Sequence, residues 1–189
     1  MTTPFARHFS AHIDVVNQSA AALESVSNNA AAAIVECLRS GGKILTFGNG
    51  GSSAEAGHFA EELVGRYRET RQPYPAISLS SDGGTVTCIS NDFGYESVFE
   101  RQIEAFAKPG DVAVGLTTSG RSPNVIRAFR AAKEKGAVTI ALTGSAGLSD
   151  VDVDHVVAVP SEDSALIQEV HLMLIHFWCE TVDRELAAK

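Results

Sequence analysis

Short apolar runs, separated by longer segments of helical periodicity, organise most of this chain. Each run is bounded by glycine, proline or a hydroxyl residue, which is typical of strands buried on both faces of a parallel sheet. We predict five strands, at residues 44–47, 76–79, 111–116, 137–142 and 155–160. Strands that alternate with helices predict an α/β fold, a three-layer αβα sandwich with ligands outside the carboxyl ends of its strands.

The segment before the first strand is rich in alanine and contains no glycine until residue 41. Its apolar residues recur at helical spacing, and we predict two helices that meet near residues 25–28 and end at Gly41-Gly42. The pattern is equally consistent with an arm that covers its own sheet and with one that packs on a partner subunit. We predict a single domain over 1–189, made of this helical arm (1–41) and an αβα core (42–189).

A glycine-rich turn, Gly48 to Gly51, joins the first strand to the next helix. Ser52 followed by Glu55 is typical of a capping box, so we predict that the helix begins at Ser52 and presents free N–H groups, which attract anions. The turn lacks the third glycine of a dinucleotide fingerprint, and no Gly-Lys-Ser/Thr of a P-loop follows it. A purely structural turn is the alternative interpretation.

Side chains able to bind a metal or move a proton follow on two helices. His58 and Glu62 are four residues apart and therefore share a helix face near the mouth of the glycine turn. The last helix, predicted at 163–186, carries Gln168 and His176, which share a face but can meet one ion only if their side chains lean together. His171, on the same helix, is interpreted as a core residue.

A second loop places hydroxyl groups at the start of a helix. It runs from Thr117 to Ser122, with Ser122 positioned as the N-cap and Pro123 as the first helical residue. Neutral hydroxyls and main-chain N–H groups suit a phosphate, although a well-capped, solvated turn is the alternative. This loop, the glycine turn and Asn91-Asp92 are expected at one crevice, because each follows the carboxyl end of a predicted strand.

Composition narrows the possible partners. The net charge of −8 argues against a broad nucleic-acid surface, because binding the phosphate backbone needs clustered lysine and arginine. No apolar run approaches the ~20 residues of a membrane span, and residues 1–10 lack the layout of a signal peptide, so we expect no membrane partner and a cytoplasmic protein. Cys37, Cys88 and Cys179 are widely spaced, which predicts buried thiols.

Three segments, in this order, resemble the sedoheptulose-7-phosphate isomerases, also called phosphoheptose isomerases, of the sugar isomerase (SIS) domain superfamily. They are Phe47 to Glu62, Thr117 to Ser122 and Ile167 to His176, and the similarity covers almost the whole chain. The resemblance implies a flavodoxin-like sandwich around a five-stranded parallel sheet, and a homotetramer with sites between subunits. It also implies an aldose–ketose isomerase that converts sedoheptulose 7-phosphate into glycero-manno-heptose 7-phosphate through an enediol, without a nucleotide cofactor.

The resemblance further assigns roles to individual residues. Glu62 and His176 match the acid–base pair, while Glu61 has no matching role. One Zn²⁺ ion per subunit is implied, with His58, Glu62, Gln168 and His176 as its ligands. The implied substrate-binding residues are Asn49, Gly50, Gly51, Ser52, Glu62, Asn91, Asp92, Thr117, Thr118, Ser119, Ser122 and Gln168.

The sequence differs from the family pattern at two places, and two alternative functions remain open. Arg121 stands where many relatives have asparagine, and the loop at 144–154 is shorter than in several of them. A non-catalytic SIS-domain protein, which binds sugar phosphates or associates with the bacterial replication initiator, is one alternative. The initiator-associating relatives lack the second glutamate of His-Phe-Ala-Glu-Glu and the final histidine, and this chain keeps both. An isomerase of another sugar phosphate, the second alternative, would share every catalytic residue.

Overall fold

The computed structural model describes residues 3–148 and 150–186. It contains a five-stranded parallel sheet with helices on both faces. The strands are β1 (Ile44–Gly48), β2 (Ala76–Ser78), β3 (Val112–Thr117), β4 (Val138–Thr143) and β5 (His155–Ala158). The α-helices are α1 (Pro4–Arg39), α2 (Gly51–Val64), α3 (Gly83–Phe93), α4 (Val98–Phe106), α5 (Pro123–Glu134) and α6 (Ser164–Leu186), with a 3₁₀ turn at Tyr95–Ser97. The predicted fold class is confirmed. Residues 1–2, 149 and 187–189 of the predicted domain lie outside the described part, and the domain boundaries stay a prediction.

The strand order across the sheet is β2-β1-β3-β4-β5, so β3 is central, as predicted. Every residue of β1 and β3 is buried, because helices cover both faces of these strands. Gly115 in β3 lies where two aromatic rings converge, and a Cβ there would lie 2.5 Å from Phe129 and 2.6 Å from Phe47. This close packing holds the carboxyl ends of β1 and β3, where both candidate loops begin, in fixed positions.

Helix α1 corrects one prediction, because it is a single helix of 36 residues and not two. The polar stretch at 25–28, interpreted as a break, contains neither glycine nor proline. Ser27 is buried there, and its backbone carbonyl and hydroxyl accept hydrogen bonds from Trp178 Nε1 of α6 at 3.2 and 3.1 Å. A polar side chain with a buried partner can thus continue a helix where the sequence pattern predicts a break.

The start of α1 leaves an apolar stripe exposed. Phe5, Phe9 and Ile13 follow one another at four-residue spacing and are 72%, 53% and 58% exposed. Further along, the side chains of α1 and α6 enclose a groove of about 370 Å³, lined by Val16, Leu23, Met173, Leu174 and Phe177 among others. Among the described helices, none combines the length and the apolar content that crossing a bilayer requires.

The cysteines agree with the prediction in two cases of three. Cys37 and Cys179 are buried free thiols, and burial raises their pKa values to about 11 and about 12. Cys88 is exposed on α3, which corrects the expectation that it is buried. Wide spacing of cysteines does not report burial, and this helix buries only Ile89.

Candidate functional site

Helix α2 begins one residue earlier than the capping pattern predicts. Its N-cap is Gly50, with a φ of +56°, and Ser52 is already the second residue of the helix. Ser52 is buried, packed so closely beneath the turn that a Cβ on Gly48 would lie 2.9 Å from its Cβ. The predicted capping box is therefore wrong, because a glycine with positive φ turns the chain into the helix before Ser52 is reached.

His58 and Glu62 of α2 meet His176 of α6 in one cluster. One ligand atom from each residue can be chosen so that all lie within 4.8 Å of one another. The Nε2 atoms of the two histidines are 3.0 Å apart, and His58 Nε2 lies 3.5 Å from a Glu62 carboxylate oxygen. Two neutral imidazoles cannot direct their lone pairs at each other at this distance without repulsion. Either a shared proton or a cation between them removes that repulsion.

Glu61 provides the outer partner of this cluster. Its carboxylate lies 2.9 Å from His58 Nδ1. When Nδ1–H donates to Glu61, the lone pair of Nε2 is left facing His176, which is the usual arrangement behind a histidine ligand. The resemblance assigns Glu61 no role, but its three-residue spacing from His58 is a signal that could have indicated the contact.

Gln168 lies at the glycine turn. A Cβ added to Gly51 would be 2.3 Å from Gln168 Nε2, so a larger residue there would displace this amide. The structure therefore brings Gln168 of α6 to the first turn of α2, as expected for a substrate-binding residue at this loop. Its role as a ligand of the same ion as His58 and His176 stays a prediction.

Asn49 is held by a hydrogen-bond network that the sequence did not indicate. Its side-chain amide exchanges two hydrogen bonds with Asn124, at 2.9 and 2.8 Å, and its oxygen accepts one from the Tyr95 hydroxyl at 2.8 Å. Asn124 is buried in the first turn of α5. A polar residue directly after Pro123 at the start of an apolar helix face was the available signal, since a buried amide needs a partner.

The loop from Thr117 to Ser122 opens into a cleft of about 390 Å³, which we call the hydroxyl cleft. Thr118, Ser119 and Arg121 line it together with Ser145, Ser161 and Ser164, which follow β4 and β5. Sequence reasoning missed those three serines, although the carboxyl ends of neighbouring parallel strands share one edge of a sheet. The predicted helix start at Pro123 and the N-cap position of Ser122 are confirmed, but the Ser122 hydroxyl pairs with Thr117 Oγ1 at 3.1 Å and makes no capping hydrogen bond.

Asn91 and Asp92 lie in the last turn of α3, and both are exposed. The Asn91 side chain donates a hydrogen bond to Asp92 at 2.7 Å. The hydroxyl of Tyr95, which follows α3, reaches Asn49 in the glycine turn at 2.8 Å. Their role in substrate binding stays a prediction.

Two buried titratable groups, Glu55 and His171, face each other between α2 and α6. His171 is completely buried, and its Nε2–H donates to the Thr143 carbonyl at 3.1 Å. Its Nδ1 lies 4.0 Å from a Glu55 carboxylate oxygen, and neither atom has a hydrogen-bond partner among the described residues. Burial lowers the pKa of His171 to about 4, against the hydrogen bond to Thr143, and raises that of Glu55 to about 7. Both groups are therefore mainly neutral between pH 5 and 6, and His171 is the core residue that was predicted.

Comparison with known proteins agrees with this geometry. A family model described as SIS domain matches residues 7–144. The chain is 51% identical over 150 residues to the phosphoheptose isomerase of Maridesulfovibrio salexigens, which covers 79% of this chain and 73% of the relative. The chain belongs to the phosphoheptose isomerase family. The resemblance of the three sequence segments is thus confirmed.

Two solved structures place the phosphoheptose isomerase fold over nearly all of the chain. The phosphoheptose isomerase from Neisseria gonorrhoeae is 40% identical, with a TM-score of 0.86 and coverage of 95% of this chain and 97% of that one. The phosphoheptose isomerase from Francisella tularensis is 35% identical, with a TM-score of 0.90 and coverage of 94% and 95%. The sheet and the six helices therefore correspond to the fold of this family.

The neutral Glu55–His171 pair predicts an unusual pH dependence of stability. Between pH 5 and 6 the folded pair holds one proton, on Glu55, and the unfolded pair also holds one, on His171. The pair therefore binds no net proton on unfolding and adds no pH dependence to the free energy of unfolding. Glu55→Gln leaves only His171, which binds a proton when unfolded and none when folded. Its free energy of unfolding should therefore rise with pH by about 1 kcal/mol per unit more than that of the wild type.

Urea unfolding at pH 5.0, 5.5 and 6.0 measures this difference. Glu104→Gln, which removes an exposed carboxylate of α4, is the control and should keep the wild-type slope. Equal slopes for Glu55→Gln and the wild type would contradict the neutral pair.

Proposed function

We propose that this chain interconverts sedoheptulose 7-phosphate and glycero-manno-heptose 7-phosphate. The observation that carries the proposal is the meeting of Glu62 and His176 on two packed helices, of which α2 begins at the glycine turn that ends β1. An aldose–ketose isomerase needs one group that moves a proton between two carbons and one that moves a proton between two oxygens. A carboxylate and an imidazole at the same point provide both, and membership of the phosphoheptose isomerase family supports this reaction.

In the proposed mechanism, Glu62 acts on carbon and His176 acts on oxygen. Glu62 takes a proton from C1 of the ketose, which forms the enediol, and returns it to C2. His176 moves a proton from the C1 hydroxyl to the C2 oxygen, so that the carbonyl ends at C1 without a net change in protons. Glu62 lies on a helix and is packed beside α6, which limits the positions that its carboxylate can take.

The substrate phosphate fits the hydroxyl cleft. Thr118 and Ser119 stand before the N-terminus of α5, where hydroxyl and main-chain N–H groups can donate to phosphate oxygens. Arg121, a departure from the asparagine of many relatives, lines the same cleft, and its positive charge offsets the negative charge of Glu162, which also lines it. We propose that this loop anchors the phosphate end while the sugar carbonyl end reaches Glu62.

Incubation with sedoheptulose 7-phosphate, followed by separation of the products, tests the proposed function. The aldose phosphate should form, and unphosphorylated sedoheptulose should be converted far more slowly, because it lacks the group that the cleft binds. Conversion of a different ketose phosphate at a higher rate would assign another substrate. Binding of sedoheptulose 7-phosphate without conversion would favour a non-catalytic SIS-domain protein.

Glu62→Gln should bind the substrate but lose about 10²-fold or more in turnover, the lower range of what a positioned acid–base group supplies. Glutamine keeps the shape of the side chain but cannot accept the carbon-bound proton. The measurement is the turnover number at saturating sedoheptulose 7-phosphate, with the melting temperature of each variant.

Glu104→Gln is the matched control, because it changes the same groups at an exposed site away from the cluster. Glu61→Gln is unsuitable as a control, since Glu61 contacts His58. Normal turnover in Glu62→Gln would sink the proposed mechanism.

We propose one Zn²⁺ ion per subunit, bound by His58, Glu62 and His176. Gln168, which the resemblance also assigns to the ion, lies at Gly51, at the other end of the contact between α2 and α6. The donor set fits: two nitrogens bound tetrahedrally at 2.0–2.1 Å from zinc lie about 3.3 Å apart, close to the 3.0 Å between the two Nε2 atoms. Glu61, by accepting from Nδ1–H of His58, leaves Nε2 free to bind. A bound ion would supply a Lewis acid for the carbonyl and enediol oxygens.

Metal analysis and thermal unfolding test the ion. The purified protein should contain zinc, and a chelator should remove it and lower the melting temperature, because a ligand that binds only the folded state stabilises that state. His58→Ala should lose both the zinc and the response to the chelator, while His8→Ala, at an exposed position on α1, should keep both. An identical melting temperature with and without zinc would contradict the proposed ion.

We also propose a homotetramer with sites between subunits, supported by the exposed stripe of Phe5, Phe9 and Ile13 and by the apolar groove between α1 and α6. Burying such a stripe against another copy removes its apolar surface from water. Sedimentation equilibrium should give about four times the 20.0 kDa chain mass, and Phe9→Glu should lower it. A monomeric wild type would contradict the assembly. The cytoplasmic location stays a prediction.

A further inference from the structure

The segment between α2 and β2 is tied to α6 by a buried ion pair. Asp183 accepts hydrogen bonds from Arg71 Nε at 2.7 Å and from the backbone N–H groups of Arg68 and Glu69 at 3.2 and 3.3 Å. The two charged side chains are only 1% (Arg71) and 7% (Asp183) exposed. Burial alone would raise the pKa of Asp183, but these three donors and the charge of Arg71 lower it. The carboxylate therefore stays ionised and holds this segment in one conformation.

Arg71 also reaches the backbone of a proposed catalytic residue. Its two terminal nitrogens donate to the carbonyls of Glu62 and Leu63 at 2.8 and 2.9 Å. These carbonyls belong to the last turn of α2, where a helix leaves acceptors without partners of its own. One guanidinium thus joins the end of α2, at Glu62, to α6 at Asp183.

Tyr67, at the start of the same segment, lies on His176. Their rings are stacked, with centroids 5.5 Å apart and planes inclined by 26°. The Arg68 guanidinium lies 5.0 Å from the centroid of the Tyr67 ring, and its backbone N–H is one of the donors to Asp183. The imidazole of His176 therefore has the Tyr67 ring on one face and His58 Nε2 at its ring edge.

We infer that Tyr67 is a positioning residue for His176, and that the Arg71–Asp183 pair keeps Tyr67 in place. The inference rests on the acid–base role proposed for His176. A half-buried imidazole on a helix can rotate about two side-chain bonds, and the flat face of Tyr67 limits this rotation. Proton transfer between two oxygens of a sugar depends on such alignment, since a displacement of about 1 Å can cost 10²-fold in rate. The spacing of seven residues between His176 and Asp183 puts both on one face of α6, so a single segment can contact both.

The comparison of Tyr67→Leu with Tyr67→Phe tests the stacking. Leucine removes the flat ring but keeps an apolar side chain, and phenylalanine keeps the ring but removes the hydroxyl. Tyr67→Leu should lower the turnover number about tenfold and leave KM within about twofold, because substrate binding does not use the ring. Tyr67→Phe should match the wild type. Turnover is measured well below the lowest melting temperature of the three proteins, so that all are folded.

Each outcome decides a different point. A wild type that does not convert sedoheptulose 7-phosphate overturns the proposed function itself. An active wild type with normal turnover in Tyr67→Leu overturns the positioning role, and so does an equal loss in Tyr67→Leu and Tyr67→Phe, which would assign the effect to the hydroxyl. Low turnover in Tyr67→Leu that Tyr67→Phe restores supports the stacking.

A second variant tests the ion pair without touching Tyr67. Arg71→Lys keeps the positive charge beside Asp183, but a lysine cannot bond Asp183 and both α2 carbonyls at once. Its turnover number should fall about tenfold, as in Tyr67→Leu, with KM again within about twofold. Arg66→Lys, at an exposed position near the start of the same segment, is the control and should match the wild type. Wild-type turnover in Arg71→Lys would overturn the part assigned to the ion pair, and if Tyr67→Leu does not fold, this variant decides the inference.

Discussion

The packing of α2 against α6 is the constraint on which the candidate site depends. The two helices meet in successive layers, from Gly51 with Gln168 through Glu55 with His171 to His58 with His176. Beside the last layer, the buried rings of Phe59 and Trp178 lie 5.9 Å apart. Because the layers share two rigid helices, a shift of either helix would move the glycine turn, the buried pair and the cluster together.

Charge and hydrogen bonding are distributed unevenly along this helix pair. In the middle layer Glu55 and His171 are neutral, because burial opposes charge and no counter-charge is at hydrogen-bond distance. Further along, Arg71 and Asp183 remain charged although they are buried, since each satisfies the other and the backbone around it. The proposed catalytic pair lies between these two regions, where the side chains are half-buried and a sugar can still reach them.

The hydroxyl cleft and the cluster are anchored to different parts of the sheet. The cleft forms where β3, β4 and β5 end, whereas the glycine turn and α2 follow β1. The Asn49–Asn124 hydrogen bonds connect the two regions across the boundary between β1 and β3. A phosphorylated sugar can therefore be fixed at one end by hydroxyl groups and presented at the other end to acid–base groups.

The sequence by itself determined the order of strands and helices along the chain, the central position of β3 and the shared face of His58 and Glu62. These follow from local apolar patterns and helix periodicity, which act within a few residues. Only the tertiary structure decided that α1 is unbroken, that Ser52 is buried and that Tyr67 and Asp183 lie beside the proposed site. Ser27, for example, lies in a stretch that we interpreted as a break between helices. Its hydroxyl instead accepts a hydrogen bond from Trp178, which lies 151 residues away in the sequence. Contacts of this kind are set by packing between distant segments, so no local pattern could predict them.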